Sequence, residues 1–247
     1  MKRALFLRRF SHRDLTPYQG VVLGDSPSGF WPLNETSTSE MAIDLSPNWL
    51  NGTYKGGVTL GFPGLPSGGT GALLDGSSGF VIAPLAFTSV ASFSMEAWVN
   101  FNGSSALHGP FIEMGDGTNG YSFGCGTQNN TNPGAYDEGG VDFVSMFEDV
   151  AWNFPPSAVP IPTTGWHHVV LTVDTNSNSN YYLDGVYQGE GGSYLTPKTP
   201  TGNTYLGTDY LSSGDRYFGG ALCNCAVYNY ELSATQIVNH YDVGVSS

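Results

Sequence analysis

The sequence predicts an all-β protein, a sandwich or barrel assembled from many short strands. Its 247 residues include 34 glycines, 14 tyrosines and 14 phenylalanines, whereas charged residues make up only 12%. Aromatic residues favour strands and glycines favour the turns between them, so this composition is typical of short strands rather than helices. The length suits one large β domain or two small ones, and no break in composition divides the main part of the chain.

Apolar and alternating runs between turn residues predict the strands of the first half of the chain. The clearest strand is 92–101, in which every second residue is apolar from Phe93 onward. This alternation gives one core face and places Glu96 on the opposite face, where it is predicted to be a solvated surface group. The run 61–71 consists of turn residues and is predicted to be a turn. Further strands are predicted at 29–33, 51–60, 72–76, 80–82, 111–114, 121–123 and 141–150.

The second half of the chain contains clearer signals for strands, a hairpin and a helix. Strands are predicted at 166–173, 181–187, 204–207 and 221–228, with Asp184-Gly185 as the tight turn of a hairpin. Residues 233–236, Ser-Ala-Thr-Gln, match a capping box and predict one short C-terminal helix that starts near Ser233. The stretch 18–25 is compatible with either a helical turn or a strand.

Basic residues are concentrated at the N-terminus. Residues 1–13 contain five of the eight basic residues and no acidic residue, so the other three basic residues share the remaining chain with all 21 acidic ones. An acidic body repels nucleic acid and anionic membranes, and neither is predicted as a partner. No apolar run approaches the roughly 20 residues of a membrane helix. We therefore divide the chain into a basic arm, 1–17, and a folded domain, 18–247.

The arm combines positive charge with apolar side chains. Such a segment can be attracted electrostatically to a larger assembly and can then bury its apolar side chains there. Two alternatives remain open: a disordered tail without a role, and an arm that binds nucleic acid. The candidate anchoring residues are Lys2, Arg3, Leu5, Phe6, Arg8, Arg9, Phe10 and Arg13.

The three cysteines are predicted to be small core residues. Cys223 and Cys225 are two apart in a predicted strand, so both are expected on the same face and are poorly placed to form a disulfide with each other. Cys125 lies in another strand-like run. A secreted domain built on disulfides is therefore not expected.

Seven short motifs occur in a fixed order along the chain. They are Phe-Trp-Pro-Leu-Asn-Glu at 30–35, Asp-Leu-Ser-Pro-Asn at 44–48 followed by Asn-Gly-Thr at 51–53, Leu-Asp-Gly at 74–76 with Phe-Val at 80–81, Ser-Phe-Ser-Met-Glu-Ala-Trp-Val at 92–99, Gly-Trp-His-His-Val at 165–169, Tyr-Leu-Asp-Gly at 182–185, and a final segment at 218–233. In this order they resemble the pentraxin-like branch of the laminin-G superfamily across roughly 18–243. The resemblance implies a concanavalin A-like jelly-roll sandwich of two antiparallel sheets.

The start of the folded domain, from Tyr18 through 21–27, also resembles laminin-G-like modules of bacteriophage structural proteins. This resemblance implies a non-enzymatic virion protein, a head decoration, fibre or tail module that is assembled in the host cytoplasm and displayed on the particle exterior. Its partners would be a phage capsid or tail protein, bound through the arm, and a glycan of the host surface. The alternative is a free carbohydrate-binding lectin or an adhesion module of a bacterial cell surface. A homo-oligomer is left open.

The residues that enzymes of this fold would need are not found in the sequence. Related glycoside hydrolases use two carboxylates that flank the scissile bond, and retaining members present an E-x-D-x-x-E-like strand, which this sequence lacks. His167 and His168 are adjacent in a strand, so they face opposite sides and cannot easily chelate one ion; we predict a structural role for them. No nucleophile motif or phosphate loop is present. The sequence predicts a protein that is not an enzyme.

Five aromatic residues in or beside polar, Gly-rich or Pro-rich segments are the candidates for carbohydrate binding, because aromatic rings stack on sugar faces. The alternative is that some of them close the ends of the sandwich. The five are Tyr136, Trp152, Phe154, Tyr210 and Tyr217.

The resemblance also implies a calcium site, with Asp44 and Asn48 as the candidate ligands. Family members bind calcium near this loop with help from an acidic pair. Here the corresponding segment is Leu-Cys-Asn-Cys at 222–225, and a thiol is a poor ligand for a cation that prefers oxygen. The calcium site is therefore predicted to be depleted.

Overall fold

The computed structural model describes residues 15–35, 39–88, 91–101, 109–116, 119–127, 141–147, 151–153, 161–191, 199–212 and 216–247. These residues form two helices and sixteen strands. The helices are α1 (Pro17–Gly24) and α2 (Ala234–Val245). The strands are β1 (Gly29–Trp31), β2 (Met41–Ala42), β3 (Gly52–Lys55), β4 (Val58–Leu65), β5 (Gly68–Asp75), β6 (Phe80–Pro84), β7 (Phe93–Phe101), β8 (Gly109–Gly115), β9 (Gly120–Thr127), β10 (Val141–Phe147), β11 (Ala151–Asn153), β12 (His167–Val173), β13 (Ser179–Leu183), β14 (Val186–Gly191), β15 (Asn203–Leu206) and β16 (Gly219–Tyr228).

The strands form two antiparallel sheets of eight strands each, which pack face to face as a jelly-roll sandwich. The first sheet has the order β14-β13-β12-β7-β16-β5-β4, with β1 also paired to β16. The second has the order β11-β10-β9-β8-β15-β6-β3-β2. The predicted two-sheet antiparallel fold is confirmed.

The main core lies between the sheets and is lined by the alternating apolar residues of their strands. The predicted core face of β7, from Phe93 to Phe101, belongs to this core. The ring of Phe93 stacks on Tyr121 of β9 with 4.3 Å between centroids, which joins the first sheet to the second. The alternation in β7 therefore predicted its inner face correctly.

A second apolar layer covers the outer face of the first sheet. Both helices pack there, and residues such as Tyr18 of α1, Trp98 of β7 and Ile237 of α2 form a second buried cluster. Because of this layer, the central strands of the first sheet are buried on both faces, and every residue of β16 is buried. Strands buried on both faces contain nearly continuous apolar runs instead of alternating ones.

The C-terminal helix is confirmed, but the prediction of a single helix is wrong. Ser233 caps α2 with the predicted capping box. Thr16 caps α1 in the same way, with Gln19 as its partner and a proline in the first turn. Proline at the start of a helix already has the required φ and needs no hydrogen-bond partner for its nitrogen. The undecided stretch 18–25 is therefore helical.

The cysteines are buried and free, as predicted, but Cys223 and Cys225 do not share a face. Cys223 belongs to the outer cluster, whereas Cys225 belongs to the main core. The pairing of β16 with β7 shifts register between Cys223 and Ala226, and Asn224 has a φ of 52°. This β-bulge adds a residue to the strand and reverses the alternation beyond it.

The prediction of a turn over 61–71 is also wrong, because β4 and β5 continue through most of it. Only Pro66 and Ser67 form the turn. Gly61 has a φ of 82° and lies at a register shift between Leu60 and Phe62. Glycine and proline are tolerated here because β4 is an edge strand of its sheet.

The hairpin turn at Asp184-Gly185 is confirmed between β13 and β14, with positive φ at both residues. In the residues that the structure describes, no helix is long and apolar enough to cross a membrane. The boundary between the arm and the domain at residue 17 stays a prediction, since residues 1–14 lie outside the described part.

Candidate functional site

A row of paired residues crosses the outer face of the second sheet. Ser122 of β9 pairs with Glu113 of β8, Glu113 pairs with Tyr205 of β15, and Tyr205 pairs with Ile82 of β6. The residues on either side of Glu113 and Ser122 along their strands belong to the main core. Because side chains alternate along a strand, Glu113 and Ser122 point away from the core.

Glu113 and Ser122 are buried polar residues whose hydrogen-bonding capacity is not fully used. Glu113 is 3% exposed and Ser122 is 1% exposed. Glu113 Oε1 accepts a hydrogen bond of 2.8 Å from the backbone N–H of Tyr210. Among the described residues, neither Glu113 Oε2 nor Ser122 Oγ has a hydrogen-bond partner. Buried polar atoms nearly always have one, so these two atoms on paired residues have capacity for a further hydrogen bond.

The surroundings of Glu113 favour its neutral form. Burial raises the pKa of Glu113 to about 8, and the negative charge of Asp209 acts in the same direction. The Tyr210 N–H and the charge of Arg216 offset part of this rise. At neutral pH most of the molecules carry Glu113 as a carboxylic acid, which can donate as well as accept a hydrogen bond.

Asp209 organises the loop between β15 and β16, which contacts Glu113 through the Tyr210 N–H. The fully buried carboxylate of Asp209 accepts hydrogen bonds from the backbone N–H groups of Leu211 (3.0 Å) and Ser212 (3.2 Å). Its other oxygen is 2.6 Å from Nη1 of Arg216. These contacts fix the backbone of Tyr210, which donates to Glu113. We call Glu113, Ser122, Tyr205, Asp209 and Tyr210 the Glu113 site.

Two of the five aromatic residues predicted from the sequence lie on this loop. Tyr210 contributes its backbone N–H and has a half-buried side chain. Tyr217 is buried, its hydroxyl donates to the carbonyl oxygen of Ser212, and its ring lies 6.2 Å from that of Phe80. Whether these rings bind a sugar or close an end of the sandwich stays a prediction.

The other three predicted sugar-binding residues are Trp152, Tyr136 and Phe154. Trp152 of β11 pairs with Met146 of β10, which pairs with Ser122. The backbone register therefore places Trp152 in the same row as the Glu113 site, two strands beyond Ser122. Tyr136 and Phe154 lie outside the described residues, as do all eight candidate anchoring residues of the arm.

Asp44, a predicted calcium ligand, organises its own loop. Its buried carboxylate accepts four hydrogen bonds of 2.7–2.8 Å, three from backbone N–H groups and one from the Ser46 hydroxyl. The side-chain amide of Asn48 donates to the backbone oxygen of Ser28 at 2.8 Å. Within the described ranges, no group of three or more His, Cys, Asp or Glu residues could hold a metal ion. The calcium site stays a prediction, and the hydrogen bonds of Asp44 argue against it.

The prediction that Glu96 is solvated is wrong. Glu96 points away from the main core, as predicted, but the helices cover that face and leave it fully buried. Its Oε1 accepts a hydrogen bond of 2.7 Å from the Tyr228 hydroxyl. Its Oε2 lies 2.9 Å from His240 Nδ1 and 3.2 Å from His168 Nε2.

His240 connects Glu96 to Asp25, since its Nε2 is 2.8 Å from Asp25 Oδ2. Burial opposes protonation of His240, but the charge of Glu96 and hydrogen bonds to both carboxylates outweigh it and raise the pKa of His240 to about 9. Burial likewise acts to raise the pKa of Glu96, but His240 and His168 hold it well below its usual range. We call Asp25, Glu96, His168, Tyr228 and His240 the Glu96 network; its buried position between helices and sheet indicates a structural role.

The predicted structural role of the histidine pair is confirmed. His168 is buried in the Glu96 network, whereas His167 lies on the opposite face with Nδ1 2.8 Å from Asp184 Oδ2. That contact joins β12 to the hairpin turn. His167 therefore stabilises the hairpin turn, whereas His168 belongs to the Glu96 network.

Sequence comparison decides the family. Residues 74–238 match the family described as the concanavalin A-like lectin/glucanases superfamily, and this match covers more than half of the chain. The chain belongs to this superfamily. No sequence among curated proteins matches this lectin/glucanase-superfamily chain.

Solved structures of low sequence identity share the superfamily fold. Domain 4 of AbnA, an extracellular GH43 arabinanase of Geobacillus stearothermophilus solved with arabinotriose, aligns with a TM-score of 0.65 at 19% identity, over 87% of this chain and 98% of that domain. The receptor-binding domain of botulinum neurotoxin C/D mosaic serotype aligns with a TM-score of 0.61 at 12% identity, over 88% of this chain. A botulinum neurotoxin type C structure aligns with a TM-score of 0.61 at 14% identity, over 90% of this chain. The superfamily domain described here spans only 51% and 52% of the two neurotoxin chains.

Proposed function

We propose that this protein is a non-enzymatic carbohydrate-binding module and that the Glu113 site binds the sugar. The observation that carries the proposal is the pair of buried polar atoms, Glu113 Oε2 and Ser122 Oγ, that have no partner among the described residues. A sugar hydroxyl both donates and accepts hydrogen bonds, so it could satisfy either atom. Tyr205 and Tyr210 lie beside them and would supply the apolar contact that a sugar face needs.

Two of the similar structures support this choice. The arabinanase domain was solved in complex with arabinotriose, and the cell entry of botulinum neurotoxin type C depends on interaction with two ganglioside molecules. The fold of this chain is therefore one on which sugar binding is known. The position of the binding site in this chain rests on the Glu113 geometry alone.

Among the described residues, no suitable second carboxylate lies beside Glu113, and this supports a binding role over hydrolysis. Glycoside hydrolysis needs an acid and a second carboxylate that acts as base or nucleophile. The carboxylate near Glu113 is Asp209, whose oxygens are already engaged by two backbone N–H groups and by Arg216. Asp209 serves to hold the loop and would have to give up these contacts to react.

A glycan array tests the proposed function. We expect wild-type protein to retain a defined set of glycans at pH 7 and Glu113→Ala to lose them, because the substitution removes the polar group that would contact the sugar. Tyr187→Ala is the matched control, since Tyr187 is an exposed aromatic residue on β14 of the first sheet. An array that retains no glycan overturns carbohydrate binding. Binding that is lost in Tyr187→Ala and kept in Glu113→Ala would move the site to the other sheet.

We further propose that the module is displayed on the exterior of a phage capsid or tail, with the basic arm as its anchor. The separation of charge supports this role, because five of the eight basic residues lie in 1–13 and the rest of the chain is strongly acidic. The first helix is capped at Thr16, so the folded domain can begin shortly after the basic residues of 1–13. The alternative is a free lectin or an adhesion module of a bacterial cell surface.

Deletion of residues 2–13 tests the anchor. We expect the truncated protein to remain folded, since the helix cap at Thr16 is retained, and to lose incorporation into particles. Full-length protein expressed beside it serves as the control for assembly. Truncated protein that copurifies with virions at full occupancy would refute the anchor. Steep salt dependence of binding to free DNA would instead indicate a nucleic-acid arm.

A further inference from the structure

We propose that Glu113 binds its ligand as a neutral carboxylic acid and that the Glu113 site therefore takes neighbouring hydroxyl groups of an uncharged glycan. This inference rests on the proposed function and specifies its ligand class. The hydroxyl of the Glu113 carboxyl group would donate to one sugar oxygen, and Ser122 would donate to or accept from the next.

The first argument is a comparison with other acids of the same molecule. The buried carboxylate of Asp44 accepts four hydrogen bonds, and that of Glu96 lies against one tyrosine and two histidines. Glu113 is buried to a similar extent but accepts only the N–H of Tyr210. A buried carboxylate with one donor is costly, whereas a buried carboxylic acid is not. The number of donors therefore favours the protonated form.

The second argument concerns the charged groups that face Glu113. On the loop, Asp209 is negative and is paired with Arg216, whose side chain is 34% exposed. On the neighbouring strands, the partners of Glu113 are Ser122 and Tyr205, neither of which is a cation at neutral pH. Arg216 is already paired with Asp209, so its positive charge compensates only part of a second negative charge on Glu113. The raised pKa of Glu113, to about 8, agrees with this arrangement.

The third argument concerns the ligand. Glu113 Oε2 and Ser122 Oγ both lack a hydrogen-bond partner among the described residues. The two residues are directly paired across strands, so their side chains lie side by side, with Cβ atoms about 5 Å apart. Neighbouring hydroxyls on a sugar ring each donate and accept, so they match this pair. A glycan carboxylate would add negative charge beside Asp209 in an already acidic body, which disfavours sialylated and uronic-acid glycans.

The test is an array of neutral and carboxylate-bearing oligosaccharides, probed from pH 6 to pH 10 with wild-type protein and three variants. We expect wild-type protein to retain neutral glycans up to about pH 7 and to lose about tenfold in affinity per pH unit above about 8. Glu113→Gln keeps a donor and cannot ionise, so we expect it to bind neutral glycans within about threefold of wild type at pH 7 and to lose the pH dependence. Glu113→Ala should lose binding at every pH.

Two controls separate this inference from its alternatives. Glu190→Gln removes an exposed carboxylate from β14 of the other sheet and should leave both affinity and pH profile unchanged. Glu113→Gln still contains His240, whose deprotonation at high pH is expected to destabilise the fold. If Glu113→Gln and wild type lose binding together at high pH, the loss is due to unfolding and not to ionisation of Glu113.

Three outcomes would overturn the inference while leaving carbohydrate binding in place. They are wild-type binding that is constant through pH 10, a Glu113→Gln variant that binds as poorly as Glu113→Ala, and a preference for carboxylate-bearing glycans. An array that retains nothing at any pH would overturn the proposed function itself.

Discussion

His240 lies between two carboxylates, with Nδ1 2.9 Å from Glu96 Oε2 and Nε2 2.8 Å from Asp25 Oδ2. Glu96 belongs to the centre of the first sheet, Asp25 follows α1, and His240 is on α2. One imidazolium therefore connects both helices to the sheet. Glu96 and His240 are fully buried, so removal of either one would leave the charge of the other buried without its partner.

Replacement of His240 is expected to destabilise the fold strongly. His240→Ala would leave the buried charge of Glu96 without its main counter-charge, and loss of one partner of a buried ion pair costs about 3–5 kcal/mol. Urea unfolding at pH 7 measures this loss. His167→Ala is the matched control, since the contact of His167 with Asp184 is partly exposed and should contribute about 1 kcal/mol or less. Equal losses in the two variants would show that the Glu96 network has no special role.

The Glu96 network also predicts a decline of stability at alkaline pH. The folded pKa of His240, about 9, lies above the value near 6.5 expected in the unfolded chain. Its contribution is therefore fully present below pH 6.5 and is lost as the pH rises through about 9. We expect the urea midpoint to fall across this window. Asp25→Asn, which weakens one of the two partners, should reduce the decline, and an unchanged decline in that variant would exclude His240 as its cause.

Local sequence patterns were sufficient to predict the elements whose structure depends on local contacts. The alternation in 92–101 predicted the inner face of β7, Asp184-Gly185 predicted a hairpin turn, and Ser233 predicted the start of α2. The capping box at Thr16 has the same pattern and would have predicted α1 by the same rule. That helix was missed because the apolar stretch after Thr16 fits a strand as well.

The errors concern residues whose surroundings come from distant parts of the chain. Glu96 is buried only because two helices cover its face, and no local pattern contains that information. Cys223 and Cys225 lie on opposite faces because of a bulge at Asn224, a residue type that adopts positive φ more readily than most. Glu113 interrupts the apolar strand 111–114, which was a usable signal, but its partner Tyr210 is 97 residues away.

Glu113→Gln is expected to change how stability depends on pH, independently of any ligand. The folded pKa of Glu113, about 8, lies above the unfolded value near 4.3, so wild-type stability falls as the pH rises from about 4.3 to about 8. The glutamine side chain cannot ionise, so the variant does not lose stability in this way. The difference in Tm between the variant and wild type should therefore increase from about pH 4.3 to about pH 8 and then level off. Thermal unfolding from pH 4 to pH 9 measures the difference. Glu190→Gln should show no such trend, and a constant difference for Glu113→Gln would mean that Glu113 is not protonated in the folded state.

The last prediction concerns the loop that contains the candidate calcium ligands. Asp44→Ala would leave three buried or half-buried backbone N–H groups without their acceptor, at about 1–3 kcal/mol each, so we expect a loss of at least about 3 kcal/mol. Asn48→Ala removes one hydrogen bond to the backbone oxygen of Ser28 and should cost about 1 kcal/mol.

The hydrogen bonds of Asp44 also predict how calcium will affect the Tm. An ionised carboxylate has about four acceptor positions, and protein donors occupy four at Asp44. Calcium would have to displace these donors, so we expect the same Tm in EDTA and in saturating calcium. A ligand that binds only the folded state raises its stability by mass action. A calcium-dependent rise in Tm that disappears in Asn48→Ala would therefore show that the loop binds the ion, and that the hydrogen bonds of Asp44 rearrange to admit it.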